Sequence, residues 1–518
     1  MIENRTLVYV APSLATLTLL HYLWRRTTRH HVVHPPSPAS LPLIGNVLSM
    51  PSGFEHLAFM TLGKQLNSDI IFLNLLGHNI VVLNSAQAAS DLLKKRSAIY
   101  SERACPEMLR DPQLLDWSRA PGILGYNDIW RHHRRMMHNW LNPRAVVQFH
   151  KMQEHQARLL LQRMLDISVS PSKPFESIKD EFFYTMAATM FRLAYGYTLQ
   201  GRHDPFFKDI REAVHRAFNS VMFTNFYVNL FPALARVPDW FPGTSWKRTI
   251  RKWREDKEHA LDAPFEWTKA QVAEGTAEVS MLGTLLQDHE LTSGLSTEER
   301  DSRLKELGVT TYSGGTDTSS TALLNFVAAM VLNPQVQAKA QQELDAVLGP
   351  GTLPTVSDRE RLPYINKLIL EVLRWRPVAP NAIPHMCLED DKYRGYDILK
   401  NTIIMGNLWA MSRDEQFYKN PEIFDPERFT DPSVPCLPAF GWGRRKCPGM
   451  HFSESSLFIV IASLLTTFTF SKKKDENGND IDVKIEDASN ALVLEMKPFD
   501  FEFKSRSEKH EQLILEAT

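Results

Sequence analysis

The sequence predicts a mainly α-helical fold with smaller β-sheets, built as one large domain. Residues 150–300 carry helical patterns over most of their length, and Leu304 to Leu332 has the length of a long central helix. Residues 70–82 are instead β-rich, with a turn at Gly77 between two apolar runs, which indicates a hairpin. Length alone suggests roughly two to four domains. No long linker or low-complexity tract divides the body, so a single domain is expected.

Composition and charge restrict the class of protein. The chain has 518 residues, of which 43% are hydrophobic and 23% charged, and its net charge is −1. This composition is ordinary for a globular protein, and the near-zero charge argues against a nucleic-acid binder, which needs a clear basic excess. Four cysteines in a chain of this length do not form a disulfide framework. If Cys447 is a metal ligand, the odd number left over suits a reducing compartment: Cys105, Cys387 and Cys436.

The N-terminal residues predict a membrane anchor followed by a hinge. Leu7 to Trp24 is apolar except for Ser, Thr and one His, and as a helix it spans roughly 27 Å, enough for a thin bilayer such as the endoplasmic reticulum. A cleaved signal peptide is the alternative, disfavoured by the lack of a cationic n-region and of a clear cleavage site. The arginines that follow place the body in the cytosol. The predicted boundaries are a single-pass signal anchor (1–24), a basic and proline-rich hinge (25–46), the main domain (47–505) and a polar tail expected to fray (506–518).

The segment around Cys447 carries the strongest chemical signal. Three cations directly precede the cysteine, and Pro-Gly directly follows it. Nearby Arg and Lys lower a thiol pKa, so Cys447 is expected to be a thiolate that ligates a metal. Glycines in the segment permit tight turns and a close approach to a flat object, and arginines bind carboxylates. A planar metal cofactor with anionic edges, such as haem, fits this pattern; a buried structural cysteine in a basic loop is the alternative.

Residues Phe440 to Gly449 resemble the haem-binding signature of the cytochrome P450 superfamily, Phe-x-x-Gly-x-Arg-x-Cys-x-Gly, without a mismatch. The resemblance continues over nearly the whole chain. It implies the cytochrome P450 fold, one large helical domain with a long central helix across the haem. It also implies haem b (iron protoporphyrin IX), with Cys447 as the iron ligand and with Phe440, Arg445 and Gly449 as cofactor-binding residues. Residues 47–505 would then be a haem-thiolate catalytic domain.

Two further cofactor contacts follow from the resemblance. Trp130 and Arg134 are four residues apart, so on a helix they share one face, and in the family a Trp-x-x-x-Arg helix holds a haem propionate. His385 would meet a propionate as well. From the residues alone, a solvated basic helix and a solvated loop histidine remain open. A basic patch for an acidic electron donor would comprise the neighbouring cations and histidines, Arg131, His132, His133, Arg135, Arg444 and Lys446.

The centre of the long helix, residues 313–319, holds the expected catalytic pair. Beyond its first turn this predicted helix has one charged residue, Asp317, and its glycine and hydroxyl residues make it locally weak. Local weakness beside a lone buried acid indicates function; a Thr bonded back into its helix and an Asp paired elsewhere are the alternative. The segment resembles the family's acid–alcohol pair, so Asp317 and Thr318 are expected to deliver protons. The family usually has Ala and a second Thr where this chain has Gly314 and Ser319.

Other segments take their expected roles from the same resemblance. Glu371 and Arg374 would lock to Arg428 and form a structural network behind the haem, whereas an exposed ion pair is the alternative. The aromatic run 218–241 would be the roof of the substrate pocket and a second membrane contact, with ordinary core as the alternative. Two more segments would line the pocket, 377–385 and 490–493.

The resemblance implies a haem-thiolate monooxygenase that hydroxylates or otherwise oxidises a lipophilic small molecule with O2. Electrons would come from NADPH through NADPH–cytochrome P450 reductase, a membrane-bound flavoprotein, on the cytosolic side of the endoplasmic reticulum membrane. Several segments resemble fungal members of secondary metabolism, which favours a terpenoid or polyketide substrate. A haem-thiolate isomerase or dehydratase that does not consume O2 is one alternative, disfavoured by Asp317 and Thr318. A haem carrier or haem-based sensor is the other, disfavoured by the predicted anchor and basic patch.

Overall fold

Helices make up most of the computed structural model, which describes residues 32–169, 174–222, 225–288 and 290–517. The predicted signal anchor, residues 1–24, and the first part of the predicted hinge lie outside the described residues. The α-helices are α1 (Glu55–Gln65), α2 (Ala86–Ala89), α3 (Glu107–Arg110), α4 (Asp128–Leu141), α5 (His150–Ser168), α6 (Pro174–Tyr195), α7 (Pro205–Val221), α8 (Tyr227–Leu230), α9 (Trp246–Glu274), α10 (Met281–Gln287), α11 (Thr297–Leu332), α12 (Pro334–Leu348), α13 (Pro363–Trp375), α14 (Leu408–Met411), α15 (Met450–Thr467) and α16 (Glu508–Leu515).

The β-structure of the described residues is limited to small sheets. The strands are β1 (Ile70–Leu75), β2 (His78–Leu83), β3 (Glu102–Arg103), β4 (His385–Met386), β5 (Asp391–Tyr393), β6 (Tyr396–Ile398), β7 (Ile403–Gly406), β8 (Phe468–Ser471) and β9 (Glu502–Ser505). The largest sheet has the order β1-β2-β7-β4-β3, and two-stranded sheets join β5 to β6 and β8 to β9. The predicted hairpin is confirmed as the antiparallel pair β1 and β2, which turns through Gly77 at φ +92°.

The long helix α11 runs through the centre of the molecule and packs against α6, α9, α13 and α15. It has 36 residues and begins earlier than the predicted Leu304, because Ser296 caps its N-terminus and accepts the Glu299 N–H at 3.2 Å. It ends at Leu332, before Asn333 and Pro334, as predicted.

Two separate apolar cores lie along α11. Its residues 304–312 belong to one cluster of buried hydrophobic side chains, and its residues 322–331 belong to another. The weak central segment, 313–319, contributes to neither cluster. The apolar core is therefore interrupted at the point where the sequence places its unusual residues.

The apolar helix α15 begins directly after the Cys447 loop. Among the described residues it is the one helix long and apolar enough to cross a membrane by length and composition. Its 18 residues are 78% buried inside the protein, as expected of a core helix. Because α15 packs on α11, the loop at its N-terminus is held at a fixed position relative to the central helix.

The prediction of a frayed polar tail at 506–518 is wrong for its described part. Residues 508–515 form α16, whose Ile514 is fully buried in the main core. Arg506 binds Asp345 of α12, with Nη1 donating to Oδ1 at 3.0 Å. One buried isoleucine and one ion pair are enough to dock a segment whose composition is otherwise polar.

A buried ion network ties α13 to the segment that precedes the Cys447 loop, as predicted. Arg374 donates to Glu371 through Nε and Nη2, both at 2.7 Å, and Arg428 Nε lies 3.1 Å from each Glu371 oxygen. Both the Glu371 and the Arg374 side chains are fully buried, so the alternative of an exposed pair is wrong. Arg374 Nη1 also donates to the carbonyls of Ser412 and Pro421, at 2.9 and 2.8 Å.

We expect Glu371→Gln to destabilise the fold by about 3–5 kcal/mol, because it leaves two buried guanidinium groups without their carboxylate. Urea unfolding monitored by circular dichroism would measure the loss, together with the amount of haem retained on purification. Glu427→Gln is the matched control. Glu427 is next to Arg428 in the chain, and its exposed carboxylate pairs with Lys339. Equal effects of the two substitutions would contradict the buried network.

Candidate functional site

The Cys447 loop is a tight backbone structure that leads directly into α15. Its backbone passes through Gly441 at φ +77° and Gly443 at φ +50°, both in the left-handed region that favours glycine. The N–H of Cys447 donates to the carbonyl of Phe440 at 2.8 Å and closes the loop. A Cβ at position 443 would lie 2.4 Å from the Leu93 carbonyl oxygen, so packing also requires glycine there.

The Cys447 thiol has a raised pKa, which corrects the prediction of a thiolate generated by neighbouring cations. Burial raises the pKa, and it outweighs the lowering effects of the Gly449 N–H, Arg134 and Lys446. Cys447 lines a groove of about 220 Å³ and is accessible from it. A metal cation bound to the sulfur would supply the charge that deprotonates it.

Two arginines flank the indole of Trp130, close to the Cys447 loop. The Arg445 guanidinium lies 4.4 Å from the ring centroid and that of Arg134 lies 5.7 Å away. Arg445 Nε donates to the Ser101 carbonyl at 2.7 Å, and its Nη2 donates to the Leu124 carbonyl at 2.8 Å. Its Nη1 is buried and finds no hydrogen-bond partner in the part of the chain that the structure describes.

A third arginine, Arg103, is buried near this group on β3. Arg103 of β3 pairs with His385 of β4, and its Nη1 donates to the Ile383 carbonyl at 2.6 Å. Within the described ranges, its Nε is buried without a hydrogen-bond partner. The His385 ring is also buried, and its Nδ1–H donates to the Tyr100 carbonyl at 2.7 Å. Sequence reasoning missed Arg103, because only the pairing of two distant strands brings it here.

Arg103 and Arg445 are buried and Arg134 is half-buried, and none of the three forms an ion pair with a carboxylate of the described residues. Burial lowers the pKa of each, that of Arg103 well below its usual range and that of Arg445 to about 10. The negative charge of Glu102 raises the pKa of Arg103 and Arg445, but burial outweighs it, and the Glu102 carboxylate accepts the backbone N–H groups of Arg103 and Tyr126. A buried cation without a partner is costly, so this cluster requires an anionic ligand. A flat metal cofactor with carboxylate edges fits both the cluster and Cys447.

The centre of α11 contains two glycines that serve different purposes. A Cβ at Gly315 would lie 2.1 Å from the sulfur of Met190, so glycine there permits close packing against α6. At Gly314 a Cβ would meet no atom of the described residues within 4 Å, and this residue faces open space. The hydroxyl of Thr318 donates to the Gly314 carbonyl at 2.6 Å, the bond back into the helix that the sequence left open. Gly314 therefore provides the side of the helix that a ligand can approach.

Asp317 lies in the same helix but faces a different space. Its Oδ2 is buried and has no hydrogen-bond partner among the described residues. Burial is the main reason that the pKa of Asp317 rises to about 7, and the negative charge of Glu495 is the second. Its side chain lines a cavity of about 390 Å³ between α6, α7 and α11. The carboxyl can therefore exchange a proton near neutral pH.

The predicted basic patch is present in part. Arg131, Arg135, Arg444 and Lys446 are exposed, and Arg131 and Arg444 each lie 5.2 Å from the Tyr126 ring centroid. The two histidines of α4 are not in the patch, which corrects the prediction. They are buried and face other segments: His132 Nε2 lies 2.7 Å from the Leu291 carbonyl, and His133 Nε2 lies 3.6 Å from Glu306.

Segments predicted to line the substrate pocket meet in one cleft. Residues 380–384 and 490–492 face the start of α1 and the end of α7 across it. The aromatic run 218–241 divides into two parts. Phe218 and Phe226 pack against the core, whereas Tyr227 and Trp240 are 78% and 81% exposed. Phe223, in the same run, lies outside the described residues.

Comparison with known proteins gives one consistent result. The family model described as Cytochrome P450 matches residues 35–503. Cytochrome P450 monooxygenase 208 of Postia placenta is 35% identical over 508 residues, which cover 97% of this chain and 95% of the relative. Cytochrome P450 monooxygenase claR of Ampulloclitocybe clavipes is 35% identical over 518 residues, 98% of this chain and 92% of the relative. Tryptamine 4-monooxygenase of Psilocybe cyanescens is 33% identical over 477 residues, 90% and 92% of the two chains.

We expect Gly443→Ala to lower the free energy of unfolding by more than the roughly 1–3 kcal/mol typical of backbone strain, because its Cβ also meets the Leu93 carbonyl. Gly478→Ala is the matched control. Gly478 has φ +82° and nothing within 4 Å of an added Cβ, so only the backbone strain applies. Urea unfolding of both variants measures the difference, and equal losses would contradict the close contact.

We expect the stability of Asp317→Asn relative to the wild type to depend on pH. The native pKa of about 7 exceeds the ordinary 3.8 by roughly 3 units, so this group's contribution is fully present below about pH 4 and is lost as pH rises through 7. The asparagine variant should match the wild type near pH 4 and exceed it at pH 8 by at most about 4 kcal/mol. Urea unfolding tests this, with exposed Asp480→Asn as control. A difference that does not change with pH would contradict it.

Proposed function

The chain belongs to the cytochrome P450 family of monooxygenases, and from this premise we propose that it hydroxylates or otherwise oxidises a lipophilic small molecule. We favour a terpenoid or polyketide of fungal secondary metabolism as the substrate. The electrons come from NADPH through NADPH–cytochrome P450 reductase. The observation that carries the proposal is the arginine cluster beside Cys447, in which buried N–H groups of Arg103 and Arg445 have no hydrogen-bond partner among the described residues.

The proposed cofactor is haem b, and the residues present fit it. Cys447 ligates the iron, while Arg103, Arg445 and Arg134 bind its propionates. Unpartnered N–H groups on Arg103 and Arg445 provide donors for this role. Trp130 holds two of these guanidinium groups in place, and His385 remains neutral because burial, followed by the charge of Arg103, lowers its pKa. Phe440 and Gly449 shape the ligand loop. When bound, a thiolate-ligated haem supplies the oxygen chemistry, including cleavage of the O–O bond.

The proposed catalytic residues, Asp317 and Thr318, manage protons. Asp317 has the burial and the pKa near 7 that a proton donor and acceptor needs at physiological pH. The Thr318 hydroxyl donates its hydrogen to the Gly314 carbonyl, beside the open side of α11, so its oxygen can accept a hydrogen bond from a ligand. Positioned proton transfer of this type typically contributes about 10²–10⁴ in rate.

The proposed interaction with the reductase uses the exposed basic patch beside the Cys447 loop. Lys446 directly precedes the cysteine, and Arg444 Nη1 donates to the Tyr126 hydroxyl at 2.8 Å. With Arg131 and Arg135 these residues present positive charge where an acidic partner would come closest to the cofactor. Complementary charge of this type raises association rates more than affinity.

The proposed location is the endoplasmic reticulum membrane, with the catalytic domain in the cytosol. Beyond the predicted anchor, two described segments expose large apolar side chains: Leu43 and Leu48 are 79% and 75% exposed, and Trp240 is 81% exposed. Gly45 bridges to the end of β1, and His78 at the β1–β2 turn contacts the Leu230 carbonyl. These contacts bring the Gly45 segment and the end of α8 to the same hairpin, and the exposed apolar side chains that follow each of them are the proposed membrane contacts.

The carbon monoxide difference spectrum of the reduced, purified protein tests the haem-thiolate assignment. We expect a strongly red-shifted Soret band in the wild type and its loss in Cys447→Ala, because sulfur ligation causes the shift. Cys436→Ala, which changes an exposed cysteine, is the control and should keep the band. A band at the position of histidine-ligated haem, or retention of the shifted band in Cys447→Ala, would contradict the proposal. NADPH-dependent O2 uptake with product formation separates a monooxygenase from an isomerase, carrier or sensor.

A further inference from the structure

The cavity beside Asp317 is charged, unlike a pocket for a lipophilic substrate. It has a volume of about 390 Å³, and its lining includes the unpartnered carboxyl oxygen of Asp317. A water molecule needs roughly 10–15 Å³ of such volume, so the space admits several. The residues around its outer part belong to α7 and are exposed: Lys208, Arg211, Glu212 and His215. The cavity therefore connects the interior of α11 with the protein surface.

An ion pair from two other elements lies at the same cavity. Lys179 of α6 donates from Nζ to Oε2 of Glu495 at 2.7 Å, and the two side chains are 31% and 36% exposed. The backbone of Glu495 is fixed, because its neighbours Leu494 and Met496 are buried and the Leu494 N–H donates to the Val378 carbonyl at 2.8 Å. Glu495 is thus a half-exposed carboxylate held at a constant position beside a buried one.

We propose that this cavity is the route by which protons reach Asp317, with Glu495 and Lys179 as the collecting pair at its outer end. The inference rests on the proton-delivering role proposed above for Asp317. A carboxylate at the surface collects protons from bulk water, and cavity water carries them inward over a distance that side chains do not bridge directly. Glu495 acts here as a positioning and relay residue and does not touch the cofactor.

The transfer moves one proton and no electrons. A proton from bulk water adds to a Glu495 carboxylate oxygen as that oxygen leaves Lys179. It passes through cavity water to Oδ2 of the Asp317 carboxylate. Glu495 returns to its ionised form and binds Lys179 again. The net change is one proton taken from solvent and one Asp317 carboxylate protonated, ready for the next delivery.

Charged groups on every element packed around the cavity act on Asp317. Two of these groups, Glu495 and Lys179, can be replaced by neutral side chains of similar size. Glu495 raises the pKa of Asp317, whereas Lys179 and Arg211 lower it. The remaining ionisable groups that face it are Lys208, Glu212 and His215 on α7 and Tyr312 on its own helix. Because Glu495 and Lys179 have opposite signs, neutralising each one must move the Asp317 titration in opposite directions.

The test is an infrared titration of the Asp317 carboxyl, identified as the protonated C=O band that is absent from Asp317→Asn. We expect Glu495→Gln to shift its midpoint to lower pH and Lys179→Met to shift it to higher pH. After transfer into D2O, we expect hydrogen–deuterium exchange of this band to slow by at least about tenfold in Glu495→Gln. This factor is smaller than the roughly 10²–10⁴ in rate that positioned proton transfer typically contributes. These readouts do not require turnover, and they apply to the full chain with its haem bound.

Glu486→Gln is the matched control, because it removes a glutamate of the same C-terminal segment from an ion pair with Lys497 at 2.9 Å, away from the cavity lining. Unchanged midpoint and exchange in Glu495→Gln, or equal slowing in Glu486→Gln, would overturn the inference. The carbon monoxide spectrum of each variant keeps the two proposals apart: loss of the thiolate-haem signal would refute the proposed function, whereas an unaltered Asp317 band with an intact spectrum would refute only the proton route.

Discussion

The desolvation of positive charge beside Cys447 is the constraint on which the functional part of the structure depends. Arg103, Arg134 and Arg445 come from a strand, a helix and a loop. Arg134 and Arg445 contact the Trp130 indole, the charge of Arg445 acts on Arg103, and none of the three forms an ion pair among the described residues. Such a cluster is unfavourable unless an anion completes it. The same burial raises the pKa of the Cys447 thiol. A metal cation bound to the sulfur would stabilise the thiolate and so favour its deprotonation. Both costs are relieved by one ligand that carries a metal at its centre and carboxylates at its edge.

Different parts of the central helix serve packing and function. Its two ends are packed in separate apolar cores, and these cores hold the intervening segment in helical form although its residues are poor helix formers. Within that segment Gly315 allows close packing, Gly314 leaves one side open, and Asp317 faces a charged cavity on another side. A ligand and a proton source can therefore reach the same two turns of helix from different directions.

Features that depend on short stretches of sequence could be predicted: the hairpin at Gly77, the helix end at Asn333 and the contiguous Cys447 signature. The ion network of Glu371 required the family resemblance, because the residues alone allowed an exposed pair. Arg103 could not be found, since only strand pairing with His385 brings it to the site. The sequence did not predict the raised pKa of the Cys447 thiol. Neighbouring charges are visible in the sequence, whereas burial depends on the tertiary structure.

Binding of two cofactor forms tests the central claim most directly. Iron protoporphyrin IX and its dimethyl ester share the metal and the flat ring, but the ester lacks the two negative charges. Charge-assisted contacts contribute about 1.5–3 kcal/mol each, so two of them predict binding of the acid form at least about 10²-fold tighter than the ester. The Soret absorbance during titration of the protein freed of cofactor gives both affinities. Equal affinity for the acid and the ester would contradict the account, because the buried arginines would then have no role in holding the cofactor.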